Sequence, residues 1–187
     1  VCLEKQGNFC FVVCDGLGGH GQGEIASSIA TSTFTDVFYR SEDLVNLIGE
    51  ATECAQKYII KRQTEEHKPH ELKTTLVALV IDDGIAYAGH VGDTRLYCFQ
   101  KNKLKWRTLD HSVPQMLALA GDIKEKDIRR HTDRNMLLKV IGTEWDEPQY
   151  ELANPVELKS DTAFLLCTDG FWDFIDEKMM QKTLKKS

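Results

Sequence analysis

The sequence predicts an α+β fold built on antiparallel sheets. Three observations predict it. A short apolar strand is followed by two successive helical patterns, a run of strands joined by tight turns comes next, and a last strand and helix close the chain. Strands and helices therefore do not alternate one by one, as a doubly wound parallel sheet requires. The 187 residues suffice for one sizeable core. No internal repeat, Pro-rich linker or low-complexity tract divides them, so residues 1–187 are read as a single domain.

Residues Phe9 to Cys14 (FCFVVC) read as a short apolar strand, and Asp15 to Gly23 as a Gly-rich loop. Glu24 to Phe38 carries Ala26, Ala30, Phe34 and Phe38 at four-residue spacing, with Ile25, Ile29 and Val37 beside them. That pattern predicts a helix with a broad buried face. Ser41 reads as the N-cap of a second helix, whose stripe is Leu44, Leu47, Ile48, Ala51, Ala55, Tyr58 and Ile59. Lys61 to Leu72 is polar and reads as a connection.

Thr74 to Ile81 (TTLVALVI) is nearly all apolar, which predicts a strand buried on both faces. Asp83-Gly84 is a two-residue hairpin signal, and Ile85 to Val91 returns as the partner strand. Thr94 to Phe99 alternates polar and apolar residues, and Asn102-Lys103 is a weaker turn before a strand over Leu104 to Leu109. Pro114 to Ala120 reads as a short helix, and Lys124 to Arg134, dense in both signs of charge, as a mobile surface flap. Thr162 to Thr168 (TAFLLCT) is a further buried strand, and a helix begins near Asp176.

Composition excludes several classes. Apolar residues at 42% and charged residues at 28% belong to a globular chain, not a disordered one. Lys and Arg number 23 against 29 Asp and Glu, a net charge of −6, which argues against binding to nucleic acid or an acidic membrane. No apolar run approaches the roughly 20 residues of a membrane-spanning helix. The six cysteines, Cys2, Cys10, Cys14, Cys54, Cys98 and Cys167, form no CxxC pair and no zinc-finger spacing. They read as reduced thiols, most in apolar runs, and point to the cytoplasm. The chain opens with Val and enters a strand-like segment almost at once, so it is read as a fragment.

Three motifs could carry chemistry. Asp15 ends an apolar strand and precedes Gly16; Asp169 ends another and precedes Gly170; Asp93 follows Gly92 between two strands. If those strands are neighbours, the carboxylates converge at one rim, where they cannot all stay ionised without cations. All-oxygen ligands favour Mg²⁺ or Mn²⁺ over zinc or copper. Asp173, four residues after Asp169, can return to the same place as the chain turns into a helix. Arg95 is expected to pair with Asp93 or another buried acid. The glycines Gly16, Gly18 and Gly21 also spell G-x-G-x-x-G, which would suit a dinucleotide-binding oxidoreductase, but Asp15 would repel a pyrophosphate there.

Taken in order, the segments DGLGGHGQGE, KTTLVALV, HVGDTR, LDHSVPQ, RNMLLKVIG and LLCTDGFWD resemble the motifs of the metal-dependent protein Ser/Thr phosphatases of type 2C, the PPM family, and its compact bacterial-type members in particular. The resemblance covers most of the chain. It implies a four-layer α-β-β-α sandwich of two antiparallel sheets flanked by helices. It implies hydrolysis of phosphoserine and phosphothreonine in proteins by metal-bound hydroxide, with two or three Mn²⁺ or Mg²⁺ ions and no phosphoenzyme. Asp15 would bridge two metals, the Gly16 carbonyl would bind one, and Asp169 would be a second ligand, which makes Asp15 and Asp169 the catalytic pair. Asp93, Asp169 and Asp173 would form a weaker third site. The implied partners are the phosphorylated substrates of a Ser/Thr kinase, and a monomer is expected.

The chain departs from the family pattern in places. Leu17 stands where some members carry a His, so no general acid carries over; His20 is read as structural. The family's upstream phosphate-binding Arg and acidic pair, and its closing Asp-Asn pair, have no counterpart, so the domain is expected to be incomplete at both termini. The rival from another class is a pseudophosphatase, the fold kept as a protein-binding module.

Overall fold

Strands β1 (Cys2–Lys5) and β2 (Asn8–Val13) form a hairpin through Gln6 and Gly7, both at positive φ (56° and 84°), the geometry that matches the twist of the flanking strands. The computed structural model of the chain describes residues 1–18, 22–68 and 71–186. A two-residue strand β3 (Gly16–Leu17) follows, then two long helices, α1 (Gln22–Arg40) and α2 (Leu47–Glu65). Then come β4 (Lys73–Thr74), β5 (Leu76–Asp82), β6 (Ile85–Val91), β7 (Arg95–Gln100) and β8 (Lys103–Arg107). Helix α3 (Val113–Ala120) and a 3₁₀ helix (Glu125–Arg130) lead to β9 (Glu151–Leu152) and β10 (Val156–Glu157). The chain closes with β11 (Thr162–Cys167), a single helical turn α4 (Asp169–Trp172) and α5 (Glu177–Leu184).

Every strand pairing among the described residues is antiparallel. One sheet runs β1-β2-β5-β6-β10, with β9 also beside β6; a second runs β11-β7-β8; β3 and β4 pair separately. That topology overturns the dinucleotide-binding alternative, which needs a parallel sheet with crossover helices.

The period-2 alternation of the strands builds the layers. Leu76, Ala78 and Val80 face α1 and α2, meeting Ala30, Phe34, Phe38, Ala51, Ala55 and Ile59. Val77 and Leu79, on the opposite face, pack with Ala86 and Ala88 against Leu96 and Cys98 of the second sheet. Tyr97 and Phe99 point outward from that sheet to Trp172 and Met180. The order is helices, sheet, sheet, helices, a four-layer α-β-β-α sandwich. β5 is buried on both faces, as its unbroken apolar run predicts.

Several local expectations need correction. Ser41 does not cap α2: its hydroxyl donates to the Asp43 carbonyl, Asp43 accepts from Val45 N–H, and the helix starts only at Leu47. Tyr58 of the predicted stripe is exposed. Helix α2 runs through Glu65, into the segment read as a connection. Its last turns are held by the Lys61–Glu65 and Arg62–Glu66 pairs and by buried Gln63, whose side chain donates to the Leu72 and Gly142 carbonyls. The turn after β7 is Lys101-Asn102, one residue early, with φ of 52° and 57°. Strand β11 is half-buried for most of its length rather than fully covered. The charged segment read as a mobile flap contains the 3₁₀ helix, anchored by buried Ile128 and by the Arg107–Glu125 and Arg129–Glu177 ion pairs. Gly21 and His20, named above, lie outside the described residues. All six cysteines are free. No described helix is long and apolar enough to cross a membrane.

Phe34 is fully buried where α1 meets the first sheet. Replacing it by Ala should cost about 3–5 kcal/mol, from lost burial plus the cavity left behind, read as a lower urea midpoint at unchanged slope.

Candidate metal centre

The three strand-end carboxylates lie at one rim: Asp15 and Asp169 meet, and Asp93 is near enough to feel the charge of both. Asp15 follows β2 and Asp93 follows β6, two strands of the first sheet separated only by β5. Asp169 opens α4 after β11, at the corresponding end of the second sheet. The carboxyls of Asp15 and Asp169 lie within hydrogen-bonding range, and burial together with Asp169 pushes Asp15 above the usual carboxylate range. Burial, then the charges of Asp110, Asp169 and Asp15, push Asp93 up to about 7. Asp173 is raised as well, by burial and by Asp169, although Arg134 opposes the shift from 3.4 Å away. Asp15 and Asp93 each feel Asp169, and Asp173 feels it as well, so negative charge accumulates around Asp169 in a partly dehydrated space, an environment that favours a bound cation.

Backbone packing sets this arrangement. The Asp15 carbonyl accepts from Thr75 N–H (2.9 Å) and from the Thr74 hydroxyl (2.9 Å), while Asp15 N–H donates to the Thr75 hydroxyl (3.2 Å). Thr75 also shares a hydrogen bond with the Thr94 hydroxyl, next to Asp93. Its side chain leaves no room at Gly92, where a Cβ would lie 2.6 Å from the Thr75 methyl and where φ is +95°. Gly16 is pressed against the start of α1, where a Cβ would come within 2.0 Å of the Gly23 carbonyl oxygen. Both glycines are therefore obligatory for steric reasons.

Arg95 does not pair with Asp93. Its guanidinium forms a two-pronged bridge to Asp110, Nε to Oδ1 at 2.7 Å and Nη2 to Oδ2 at 2.5 Å, and donates to the Tyr97 hydroxyl at 3.0 Å. Its flat face stacks on Trp172, 3.5 Å from the ring centre. The Trp172 indole N–H donates to the Asp93 carbonyl at 2.9 Å. The sequence reading missed Asp110 and Trp172 as organisers of the site. The signals were present, an Asp in LDHSVPQ and a Trp inside the Asp-Gly motif, but their pairing to Arg95 is a long-range contact.

The donor set fits a hard divalent cation. It is all oxygen, and one buried oxygen, Oδ1 of Asp173, has no hydrogen-bond partner. Gly16 lies beside Asp15 at this rim, paired to Thr74 through the β3–β4 bridge.

Comparison with known proteins gives a consistent result. The protein phosphatase 2C family model matches residues 1–187. The serine/threonine phosphatase stp of Listeria monocytogenes is 30% identical over 180 residues, spanning 93% of this chain and 71% of that protein. Among solved structures, a bacterial serine phosphatase superposes with a TM-score of 0.85 at 25% identity, over 96% of this chain and 74% of the other. The catalytic domain of the serine/threonine phosphatase PstP, solved in complex with two manganese ions, superposes with a TM-score of 0.81 at 22% identity, over 94% and 74%.

Two outcomes are expected. Arg95→Met removes the main partner of an Asp110 side chain that is 1% exposed. The loss should be about 3–5 kcal/mol, measured by denaturant unfolding. The raised carboxylates also set a pH dependence. Their folded-state pKa values lie above the unfolded value near 3.9, so their contribution to stability is full below that pH and is lost as pH rises through the folded values, for Asp93 about 7. A divalent cation takes the place of the protons, so the rise in melting temperature caused by Mn²⁺ should grow from pH 5 to pH 8. Equal rises at both pH values would contradict the assignment.

Proposed function

The chain belongs to the protein phosphatase 2C family, and from that premise we propose that it hydrolyses phosphoserine and phosphothreonine in proteins with the help of divalent cations. Its ligands are Asp15, Asp169, Asp93, Asp173 and the carbonyl of Gly16. The observation that supports this reading is the meeting of the Asp15 and Asp169 carboxyls at a rim where Asp93 and Asp173 are also raised by their charges, and where one buried Asp173 oxygen lacks a partner. A fold kept only as a binding module has no use for that strain.

Asp15 and Asp169, whose carboxyls meet, hold the catalytic ions; Asp93, Asp169 and Asp173 hold a weaker one. Two or three Mn²⁺ or Mg²⁺ ions satisfy the set, and the manganese pair bound by PstP is of that kind. When bound, such ions lower the pKa of water and neutralise the phosphoryl oxygens. The side chains contribute placement. Thr74 and Thr75 fix the Asp15 backbone, Trp172 fixes the Asp93 carbonyl, and Arg95 with Asp110 fixes Trp172. Without cations the same carboxylates repel a phosphate, so activity depends on metal throughout. Leu17, paired with Lys73 in the β3–β4 bridge, supplies no proton to the leaving alkoxide.

We extend the reading to a single catalytic domain over residues 1–187, acting as a monomer in the cytoplasm on the targets of a Ser/Thr kinase. Six unpaired cysteines support a reducing compartment.

The test is hydrolysis of a phosphothreonine peptide with Mn²⁺ or with EDTA, beside Asp169→Asn. The expected outcome is Mn²⁺-dependent turnover that falls at least about 100-fold in the variant, since even residues that only support a metal ligand are worth about 10–100-fold. Turnover that survives EDTA, or an unaffected variant, would refute the proposal.

A further inference from the structure

His90, His111 and Glu151 bring their ligand atoms within 4.8 Å of one another, a set that could suit a transition metal. Proton bookkeeping removes His111 from that set. The Gly92 N–H donates to His111 Nδ1 at 3.1 Å, and an amide N–H cannot accept, so Nδ1 carries the lone pair. The neutral ring then bears its proton on Nε2, which lies 3.0 Å from Glu151 Oε1. A metal on Nε2 would force a proton onto Nδ1, against the Gly92 amide. His90 differs: its Nε2 lies 2.7 Å from the Leu109 carbonyl, which can only accept, so Nε2 carries the proton and Nδ1 keeps its lone pair.

The same atoms point to a different role. His111 holds Gly92 from both sides: its backbone N–H donates to the Gly92 carbonyl at 2.9 Å, and its ring takes the Gly92 N–H. Gly92 is the residue at φ +95° immediately before Asp93. The Asp93 carbonyl is in turn held by Trp172. The backbone on both sides of the Asp93 side chain is therefore tied down, and its carboxylate stays available. The His111 ring is itself seated, buried and stacked on His90 with centres 4.5 Å apart and planes 19° apart.

We propose that His111 is a positioning residue that clamps the Gly92–Asp93 turn and so sets the Asp93 carboxylate for cation binding. The proposal rests on the reading of Asp93 as a metal ligand. Residues that orient a ligand are worth about 10–100-fold in metal affinity.

The experiment compares His111→Gln, His111→Asn and Asp93→Asn by Mn²⁺ titration calorimetry on the full chain. Asn places its amide oxygen where Nδ1 was and can still accept from Gly92 N–H; Gln places its polar end where Nε2 was and cannot. Both lose the His90 stack, and only Gln can still reach Glu151, so a role in packing would move both alike and a role through Glu151 would spare His111→Gln. The expected result is Mn²⁺ affinity at the weakest site about tenfold lower in His111→Gln and within about twofold of wild type in His111→Asn. Equal losses in the two variants, or none in His111→Gln while Asp93→Asn weakens binding, would overturn the clamp alone. Unchanged binding in Asp93→Asn would overturn the ligand reading and the clamp with it. Should both His111 variants fail to fold, imidazole ¹⁵N spectra of the wild-type chain decide: a pyridine-type Nδ1 is expected, and a pyrrole-type Nδ1 would overturn the clamp.

Discussion

The buried bridge between Arg95 and Asp110 is the contact on which most of the site depends. Both side chains are almost fully removed from water, at 2% and 1% exposure, so neither could remain charged without the other. Arg95 lies on β7 of the second sheet, Asp110 lies beyond β8, and the stacked Trp172 closes α4. Through its indole N–H, Trp172 reaches the Asp93 carbonyl at the end of the first sheet. One desolvated ion pair thus joins the two sheets, the single helical turn α4 and the backbone of Asp93. Arg107 adds a second positive charge 3.7 Å from Asp110, and its own bond to Glu125 ties the 3₁₀ segment to the same node.

Against this rigid support stands a site that is electrostatically unfavourable by construction. Threonines and glycines hold Asp15 and Asp93 near Asp169. Arg134, the ion-pair partner of Asp173, is 44% exposed, and solvent screens much of its charge. Folding energy from the core therefore holds carboxylates where they repel. That is the arrangement expected of preorganised ligands, which need no rearrangement when a cation arrives.

Short-range signals were legible wherever a local rule decided the outcome. Asp83-Gly84 takes the two positive φ values its residues allow, Ser112 caps α3 through its side chain, and Asp176 caps α5. The errors fall where distant contacts overrode local polarity. Gln63 looks like a solvated residue of a connection, yet its amide is buried because two carbonyls far along the chain meet it there. The 3₁₀ segment looks like a free charged surface, yet Glu125 and Arg129 anchor it by pairing with Arg107 and Glu177.

By itself the sequence determined the antiparallel α+β class and marked the acids as candidates, while the four-layer order came with the family resemblance. Apolar period, turn chemistry and the recurrence of Asp beside Gly at strand ends are all properties of neighbouring residues. It could not determine which acid Arg95 neutralises, that Trp172 is the link to Asp93, or that His111 holds both polar atoms of Gly92. Each of those is a contact across 15 to 79 residues of chain, between groups whose chemistry allows many partners. Only the packing of one sheet on the other selects a single partner, because only then does burial make every other choice too costly.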